Sequence, residues 1–357
     1  MTEHSDGTWP AITCYTSRNT YTSILFHSYS TTGFSVATYP LDGKKLFKIN
    51  YQNSINLTHS YLGRIIFRLS LGFIAVQLFK VISKLEHWYV RHNNVYCLHL
   101  FAFQKELRFT LNECKCTIGT NNKWKYINLN PSTPVVGGLV KIHKEDTPIR
   151  PIINFKNAPT YNLPKTLTNA LKKYIPLPHV YNVQNSVHLM KDLSEIPYNP
   201  DLRIASLNIS NMYTNIPTKD LLNIIQNTCE NNGLESAVKQ EILSLTRLII
   251  MQNYFRFQNR TYIQKSGLAM GTPSSSILSE IYLQFMENTK IFEILKNFKI
   301  EGYYRYVDDI LIIYNKNHTN KEEVYMQFNN MTHDLKFTLE QEKDKRLNFL
   351  DVTIQNR

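Results

Sequence analysis

Two adjacent carboxylates, Asp308 and Asp309, stand between two short apolar runs, Tyr303–Tyr306 and Ile310–Tyr314. Both runs have the composition of β-strands, so the pattern predicts a β-hairpin with the acidic pair at its tip. Neighbouring carboxylates repel each other unless water or a cation neutralises them. Mg²⁺ is a hard cation that prefers oxygen ligands, and it would suit this pair. The alternative is an exposed Asp-Asp turn without further function, because Asp is common in turns.

Nucleotidyl transfer with two metal ions needs more than an acidic pair. It requires a third carboxylate on a neighbouring strand, so that two ions can hold the attacking and the leaving oxygens. It also requires a basic segment for a triphosphate and a glycine loop that comes close to the nucleic acid. The chain has a candidate position for each of them, in the β-like run Arg203–Ile209, the basic stretch 139–173 and the loop with Gly267 and Gly271.

The elements that must position these residues alternate between helices and strands. Pro217 suits the first turn of a helix that ends near Glu230, and Gly271-Thr272-Pro273 is a good helix start. Strands and helices mixed in this way, around a central antiparallel hairpin, indicate an α+β fold. The other predicted elements are helices at Leu234–Asn253, Ser274–Phe298 and Lys321–His333, and strands at Lys336–Glu340 and Asn348–Ile354.

The composition is that of a basic globular protein. The 357 residues include 40 Lys and Arg against 28 Asp and Glu, which gives a formal net charge of +12, and 43% of them are apolar. This apolar content excludes a disordered chain, and the 12 Gly and 14 Pro are too few for a collagen-like or linker sequence. The positive charge favours a polyanionic partner. Residues 139–173 alone hold seven basic and two acidic residues, which could line a phosphate-binding groove or form only a solvated surface.

Residues 1–130 form an N-terminal region of unknown role. The Ser/Thr/Tyr-rich sequence before Tyr39 has no clear period, and we interpret it as a poorly ordered arm. Apolar positions from Ile65 to Ile82 have helical spacing, so the region is predicted to be partly helical. The apolar stretch Leu69–Phe79 is too short to span a membrane. The turn-forming run Pro131–Pro134 predicts a boundary to a second domain, residues 131–357.

The cysteines indicate a reducing compartment. There are five of them without a CxxC pair, so we expect neither a disulfide partner nor a zinc ribbon. Cys114 and Cys116 are interpreted as buried structural thiols, with metal binding as the alternative. The polar start of the chain is not a signal peptide. We therefore expect an intracellular protein, in the nucleus or the cytoplasm, that is neither secreted nor attached to a membrane.

Five ordered motifs resemble those of reverse transcriptases. Tyr306–Asp309, with the sequence YVDD, resembles their YxDD box, and Gly267–Ser274, GLAMGTPS, resembles their GLPMGSP loop. Leu207–Pro217, LNISNMYTNIP, resembles the segment of the first catalytic carboxylate. Upstream, Gly138–Lys144, GLVKIHK, and Thr147–Ile152, TPIRPI, are similar to two motifs of the fingers.

Two further segments, Pro159–Leu163 and Leu347–Val352, make the chain most similar to Penelope-like retroelements. The resemblance runs from about Pro131 to Ile354. It implies the fingers and palm of a right-hand polymerase, with fingers at about 131–200 and palm at about 201–357. The implied partners are an RNA template, a DNA primer and deoxynucleoside triphosphates.

The resemblance also implies roles for individual residues. Asp308 and Asp309 would be catalytic ligands to two Mg²⁺ or Mn²⁺ ions. Lys141 and Arg150 would reach the triphosphate, although both could serve only surface solubility. Tyr213 would exclude a ribose 2′-hydroxyl and so select deoxynucleotides; a core tyrosine is the alternative. The remaining residues implied are Met270 and Gly271 in the nucleotide site, and Gly267, Pro273, Lys144 and Tyr306 against template and primer.

The departures from the family pattern concern catalysis. Asn208 stands where the family has its first catalytic aspartate, and an amide is a poor bridging ligand for two divalent ions. Val140 and Ala269 replace usual prolines, and the chain ends at Arg357, so we expect a largely absent thumb and no GIY-YIG nuclease. RNA-directed DNA synthesis in an impaired copy is the favoured interpretation. The alternatives are a catalytically dead remnant that at most binds RNA or RNA/DNA duplex, and an unrelated metal-dependent nuclease.

Overall fold

The computed structural model describes residues 12–15, 20–24, 35–40, 47–50, 89–92, 96–119, 121–140, 149–257 and 260–355. The predicted helix positions Ile65 to Ile82, the stretch Leu69–Phe79 and the basic residues Lys141 and Lys144 lie outside this set. Within it, no helix combines the length and the apolar character that a membrane crossing needs.

A four-stranded antiparallel sheet carries the acidic pair. Its strand order is β11–β12–β8–β13. The central strand β12 has the apolar run ILIIY, and all five of these side chains are buried because both faces of the sheet are covered. The predicted hairpin around Asp308 is confirmed by the pairing of β11 with β12. The strands are β8 (Leu202–Ser210), β11 (Gly302–Tyr306), β12 (Asp309–Asn315) and β13 (Lys336–Gln341).

Helices packed on this sheet form the largest hydrophobic core. The helix predicted after Pro217 is confirmed, whereas the predicted helix Ser274–Phe298 is interrupted by a π-helical turn, Glu287–Ile291. The α+β class is therefore confirmed. The helices are α1 (Tyr96–Glu113), α2 (Lys115–Ile118), α3 (Leu163–Tyr174), α4 (Ser186–Ser194), α5 (Met212–Asn215), α6 (Thr218–Asn231), α7 (Ser236–Met251), α8 (Pro273–Met286), α9 (Phe292–Asn297) and α10 (Lys321–Asn330).

A second, larger sheet brings together strands that are far apart in the sequence. Its strand order is β4–β3–β2–β1–β6–β9–β10–β5. Strand β7 also pairs with β6, along the edge that β1 and β9 leave open. β1 and β5 precede the boundary proposed near Pro131, yet they pair with β6 and β10 beyond it. The boundary itself stays a prediction. The strands are β1 (Ile12–Tyr15), β2 (Thr20–Ile24), β3 (Ser35–Pro40), β4 (Phe47–Asn50), β5 (Tyr89–His92), β6 (Val135–Val140), β7 (Ile149–Asn154), β9 (Tyr254–Phe257) and β10 (Arg260–Gln264).

Three local predictions are corrected by the structure. The segment before Tyr39, interpreted as a poorly ordered arm, contains the strands β1 and β2 and the start of β3. The single strand predicted at Asn348–Ile354 is two strands, β14 (Arg346–Phe349) and β15 (Val352–Gln355), because the chain reverses at Leu350, whose φ is +54°. Of the two thiols expected to be buried, Cys114 is buried but Cys116 is exposed.

The exposure of Cys116 follows from the way α2 docks on α7. The carboxylate of Glu241, on α7, accepts the backbone N–H groups of Cys116 at 2.9 Å and Thr117 at 2.7 Å. These are unpaired N–H groups of the first turn of α2, and a carboxylate is a favourable partner there. The hydrogen bonds outweigh the effect of burial and hold the pKa of Glu241 below its ordinary value.

Candidate active site

The side chain of Asn208 faces the acidic pair across adjoining strands. In the antiparallel pairing of β8 with β12, Asn208 lies opposite Asp309, and such directly opposed residues project from the same face of a sheet. Asn208 Nδ2 donates a hydrogen bond to Asp309 Oδ1. On the other side of β8, the hydroxyl of Thr338 donates to the backbone oxygen of Asn208 at 3.4 Å. The strand pairing therefore brings the residue-208 position and the YVDD tip into direct contact.

Asp308 lies in the tight turn between β11 and β12. Its backbone oxygen accepts a hydrogen bond from the N–H of Ile209 at 2.9 Å, which ties the turn to β8. Val307 has φ +56°, in the left-handed region that β-branched residues rarely occupy. Tyr306, expected to contact template or primer, is 38% exposed at the end of β11. The turn thus presents Asp308 beside β8 in a constrained backbone conformation.

Tyr213 lies close to the acidic turn and to strand β7. It follows directly after β8, in the short helix α5, and is half-buried. Burial and the negative charge of Asp308 raise the pKa of Tyr213, against the opposing influence of a hydrogen bond with Ser279 and of the positive charge of Arg150. Asp308 and Arg150, two other residues selected from the sequence, are therefore each within electrostatic range of Tyr213.

The glycine loop between β10 and α8 connects α5 with β7. The N–H of Leu268 donates to the backbone oxygen of Tyr213 at 2.6 Å, and the N–H of Ile153 on β7 donates to Met270 at 2.8 Å. Met270 thus fixes β7 through its own backbone. Pro273 begins α8, consistent with the preference of proline for the first helical turn.

Both glycines of the loop are required by contacts within the protein. Gly267 has φ +76°, and a Cβ there would lie 2.3 Å from the backbone of Thr214. Gly271 has φ +116°, and a Cβ would lie 2.1 Å from the oxygen of Ile153. The role expected for them against nucleic acid stays a prediction. The space that their missing side chains leave is occupied by the backbone of α5 and of β7.

The donor atoms at the tip fit one divalent cation better than two. Asp308 and Asp309 offer carboxylate oxygens, which Mg²⁺ and Mn²⁺ prefer. The neighbouring amide of Asn208 presents its N–H to Asp309 and adds no negative charge. Among the described residues, no group of three or more His, Cys, Asp or Glu side chains could hold a metal ion. The residues present lack the third carboxylate of a two-ion site.

The structure also shows a buried charge cluster that the sequence interpretation missed. Arg305, Glu280 and Glu287, which we call the Arg305 cluster, lie directly beneath the YVDD turn. The alternation of β11 does not reveal the cluster, because the two buried positions, Tyr303 and Arg305, alternate with two further tyrosines. A charged residue on the buried face of a strand requires buried partners, and these come from a distant helix.

Comparisons with known proteins agree with the geometry of the palm. The family model for reverse transcriptase (RNA-dependent DNA polymerase) matches residues 142–353. Among curated proteins, none matches the chain.

Telomerases are among the similar solved structures. Apo telomerase from Candida tropicalis has a TM-score of 0.50 and 12% identity, over 82% of this chain and 51% of that chain. A form of it truncated from the C-terminal domain has a TM-score of 0.46 and 14% identity, over 64% and 54% of the two chains. Candida albicans telomerase in complex with a TWJ fragment of telomeric RNA has a TM-score of 0.44 and 15% identity, over 62% and 46%. The chain thus spans about half the length of these telomerases.

Proposed function

The chain belongs to the reverse transcriptase family, the RNA-dependent DNA polymerases, and from this premise we propose that it is the reverse transcriptase domain of a Penelope-like retroelement. Its reaction would be the addition of deoxynucleotides to the 3′-hydroxyl of a DNA primer on an RNA template, with the rate reduced by Asn208. The Penelope-like subtype is supported by the motifs GLVKIHK, LNISNMYTNIP and LNFLDV. An intracellular location, in the nucleus or the cytoplasm, is part of the proposal.

One observation carries the proposal. Residue 208 and Asp309 are paired across β8 and β12, with Asp308 in the adjoining turn, as the transfer of a nucleotide by palm carboxylates requires. Side chains on opposite faces of the sheet could not act together. The contact between Asn208 and Asp309 supports the proposal that the separate motifs form one site.

The residues around this site have complementary tasks. Arg150 carries the positive charge that a triphosphate needs, and a guanidinium can bind phosphate oxygens with two parallel hydrogen bonds. Tyr213 is half-buried and would fill the space beside the 2′ position of the incoming sugar. Asp308 and Asp309 would hold the divalent cation. When bound, this cation would stabilise negative charge that develops on the phosphate.

Asn208 explains the impairment that we propose. The amide keeps the shape of an aspartate, but its N–H is directed at Asp309, so the two groups form a neutral–anionic pair. Removing one preorganised donor from an oxyanion hole costs on the order of 10²–10³ in rate. The loss of a charged ligand to the cation is expected to cost no less.

Primer extension by Asn208→Asp, beside the natural chain, tests the proposal. The substrate is a DNA primer on an RNA template, with deoxynucleotides and either Mg²⁺ or Mn²⁺. We expect the variant to extend the primer at least ~10²-fold faster, because it restores the missing carboxylate. Asn215→Asp is the matched control, since Asn215 is an Asn close to β8 whose side chain donates to the backbone of Ser210 and not to the acidic pair.

A second candidate function is nucleic-acid binding without catalysis. It is favoured by the same hydrogen bond between Asn208 and Asp309, which gives the tip a stable arrangement without any cation. Under this alternative, Asn208→Asp would bind an RNA/DNA duplex as the natural chain does but would still not extend the primer. Rapid synthesis by the natural chain would instead show that the weight given to Asn208 is wrong.

A further inference from the structure

Arg305 lies beneath the acidic turn, and all its hydrogen-bond donors have partners. Its side chain is 1% exposed. Nε and Nη2 donate to Glu287, and both terminal nitrogens donate to Glu280, at 2.7 and 3.0 Å. These contacts use four of the five N–H groups that a guanidinium carries. The fifth is directed from Nη1 to the backbone oxygen of Val307, at 3.3 Å.

The two carboxylates are themselves fixed. Glu280 lies on α8, and its Oε1 accepts hydrogen bonds from Asn182 at 3.1 Å and Gln284 at 2.7 Å. Glu287 lies in the π-helical turn and accepts from the hydroxyl of Tyr303 at 3.3 Å. Burial lowers the pKa of Arg305, but the hydrogen bonds and charges of the two carboxylates outweigh it, so the guanidinium stays charged. The side chains of the Arg305 cluster are therefore held in place by hydrogen bonds to one another and to their neighbours.

The Arg305 cluster contacts Val307, the residue immediately before Asp308. Val307 keeps a left-handed backbone, with φ +56°, that costs free energy for a β-branched side chain. The hydrogen bond from Arg305 holds the carbonyl of Val307, and the N–H of Ile209 holds the carbonyl of Asp308. Hydrogen bonds thus hold the peptide groups on both sides of the Cα of Asp308. Arg305 holds the one before it, and Ile209 on β8 holds the one after it.

We propose that Arg305 is a positioning residue, which holds the Val307–Asp308 peptide group and thereby aims the carboxylate of Asp308 at the reaction site. Arg305 does not contact substrate; it acts through the backbone of the turn. Glu280 and Glu287 orient the guanidinium of Arg305 by accepting its hydrogen bonds. The effect of Arg305 on catalysis rests on the proposed function. Its effect on the conformation of the YVDD turn does not.

Hydrogen exchange of the full chain, followed by mass spectrometry, tests whether Arg305 holds the YVDD turn. The variant is Arg305→Lys, which keeps the charge but cannot pair with both carboxylates and reach Val307 at the same time. We expect exchange in peptides covering residues 304–309 and 206–210 to become roughly tenfold faster or more, as for the loss of one hydrogen bond to a charged group. Peptides from α6 and α7 should keep their rates.

Arg203→Lys is the matched control. Arg203 lies on β8, at the far end of the same sheet, and pairs with Glu342 at 3.3 Å. The control should leave the exchange of the YVDD turn unchanged. If Arg305→Lys leaves the turn unchanged, or accelerates exchange equally throughout the sheet, Arg305 has only a general structural role and the proposal is overturned.

Glu280→Gln keeps the proposal testable if Arg305→Lys does not fold. The amide has nearly the shape of the carboxylate but can accept from only one terminal nitrogen, so Nη1 loses its alignment toward Val307. The same local acceleration at the turn is expected, by a smaller factor. Unchanged exchange at the turn in folded Glu280→Gln would count against the proposal.

Primer extension in the Asn208→Asp background separates this proposal from the proposed function. Adding Arg305→Lys should lower kcat about tenfold and leave KM for the deoxynucleotide unchanged, because the aim of Asp308 matters in the transition state. An equal rise in KM would contradict a positioning role. If Asn208→Asp itself synthesises no DNA, the proposed function fails, and the exchange data alone then support or overturn the role of Arg305.

Discussion

At the scale of single residues, one amide changes the electrostatics of the palm. Three carboxylates at this point would repel each other in the absence of a cation. With Asn208, one of the repulsive contacts becomes a hydrogen bond to Asp309. The same substitution that weakens cation binding should therefore stabilise the cation-free fold. Activity and stability are opposed at this position, as often happens at sites built for function.

We expect Asn208→Asp to lower the stability of the protein when EDTA is present. The hydrogen bond is lost and two like charges are brought together, with a cost of roughly 1–3 kcal/mol. Mg²⁺ should return part of this stability to the variant and have little effect on the natural chain. Thermal unfolding by circular dichroism, with EDTA and with Mg²⁺, measures both effects.

The exchanged pair Asn208→Asp/Asp309→Asn is the control for this measurement. It keeps the number of charges of the natural chain and reverses the direction of the hydrogen bond. Its stability in EDTA should be close to that of the natural chain, while Mg²⁺ should add little. Equal melting temperatures of the natural chain and Asn208→Asp in EDTA would contradict the argument from repulsion.

At the scale of elements, the glycine loop holds strand β7 next to helix α5. Backbone hydrogen bonds run from the loop to Tyr213 on one side and to Ile153 on the other. Such contacts demand that the chains approach without side chains between them, which only glycine permits. The positions of Arg150 on β7 and of Tyr213 after β8 therefore depend on this loop.

Gly267→Ala should destabilise the protein by clearly more than Gly233→Ala. The two glycines have similar positive φ angles, +76° and +67°, so the conformational cost of alanine is nearly the same, about 1 kcal/mol. Only at Gly267 does the new Cβ meet backbone atoms, at 2.3 Å, whereas Gly233 has no atom within 4 Å. Denaturant unfolding of both variants gives the difference. Equal losses would show that the loop can move away from Thr214 at no cost.

The sequence predicted elements where local pattern decides the structure. The hairpin, β8 and the helix after Pro217 all have apolar periodicity and a clear start signal, and they lie within a few residues of their predicted bounds. The hairpin of β9 and β10 was not predicted, because its strands are short and are stabilised by pairing with β5 and β6, far away in sequence. The reversal at Leu350 was missed for a related reason, since leucine gives no turn signal.

The residues at the YVDD tip of the candidate site could be predicted from the sequence. The Arg305 cluster beneath the tip could not. Asp308, Asp309 and Asn208 lie in motifs, and antiparallel pairing brings them together. The partners of Arg305, in contrast, lie 18 and 25 positions away on a helix whose interruption has no sequence signal. From its type alone, Arg305 would be placed on the surface, because unpaired burial of a guanidinium is strongly unfavourable.

At the scale of the whole molecule, the net charge of +12 includes lysines on the outer face of helix α3. Helix α3 buries Leu163, Leu167 and Leu171 and leaves Lys165 and Lys172 exposed on its outer face. Within the described part of the chain, neither lysine forms a salt bridge with a carboxylate. This arrangement fits a basic surface that attracts a polyanion better than charges that stabilise the fold through salt bridges.

Filter binding of an RNA/DNA duplex across a salt series tests this surface. Affinity should fall about tenfold to a hundredfold between ~50 and ~200 mM salt, because each phosphate contact releases counterions. Lys165→Gln/Lys172→Gln should flatten this dependence, whereas Lys219→Gln/Lys296→Gln, at two exposed lysines of α6 and α9, should not. A dependence that is equally steep in both double variants would place the contacts elsewhere. No dependence on salt in the natural chain would exclude phosphate binding by this charge, and with it the template that reverse transcription requires.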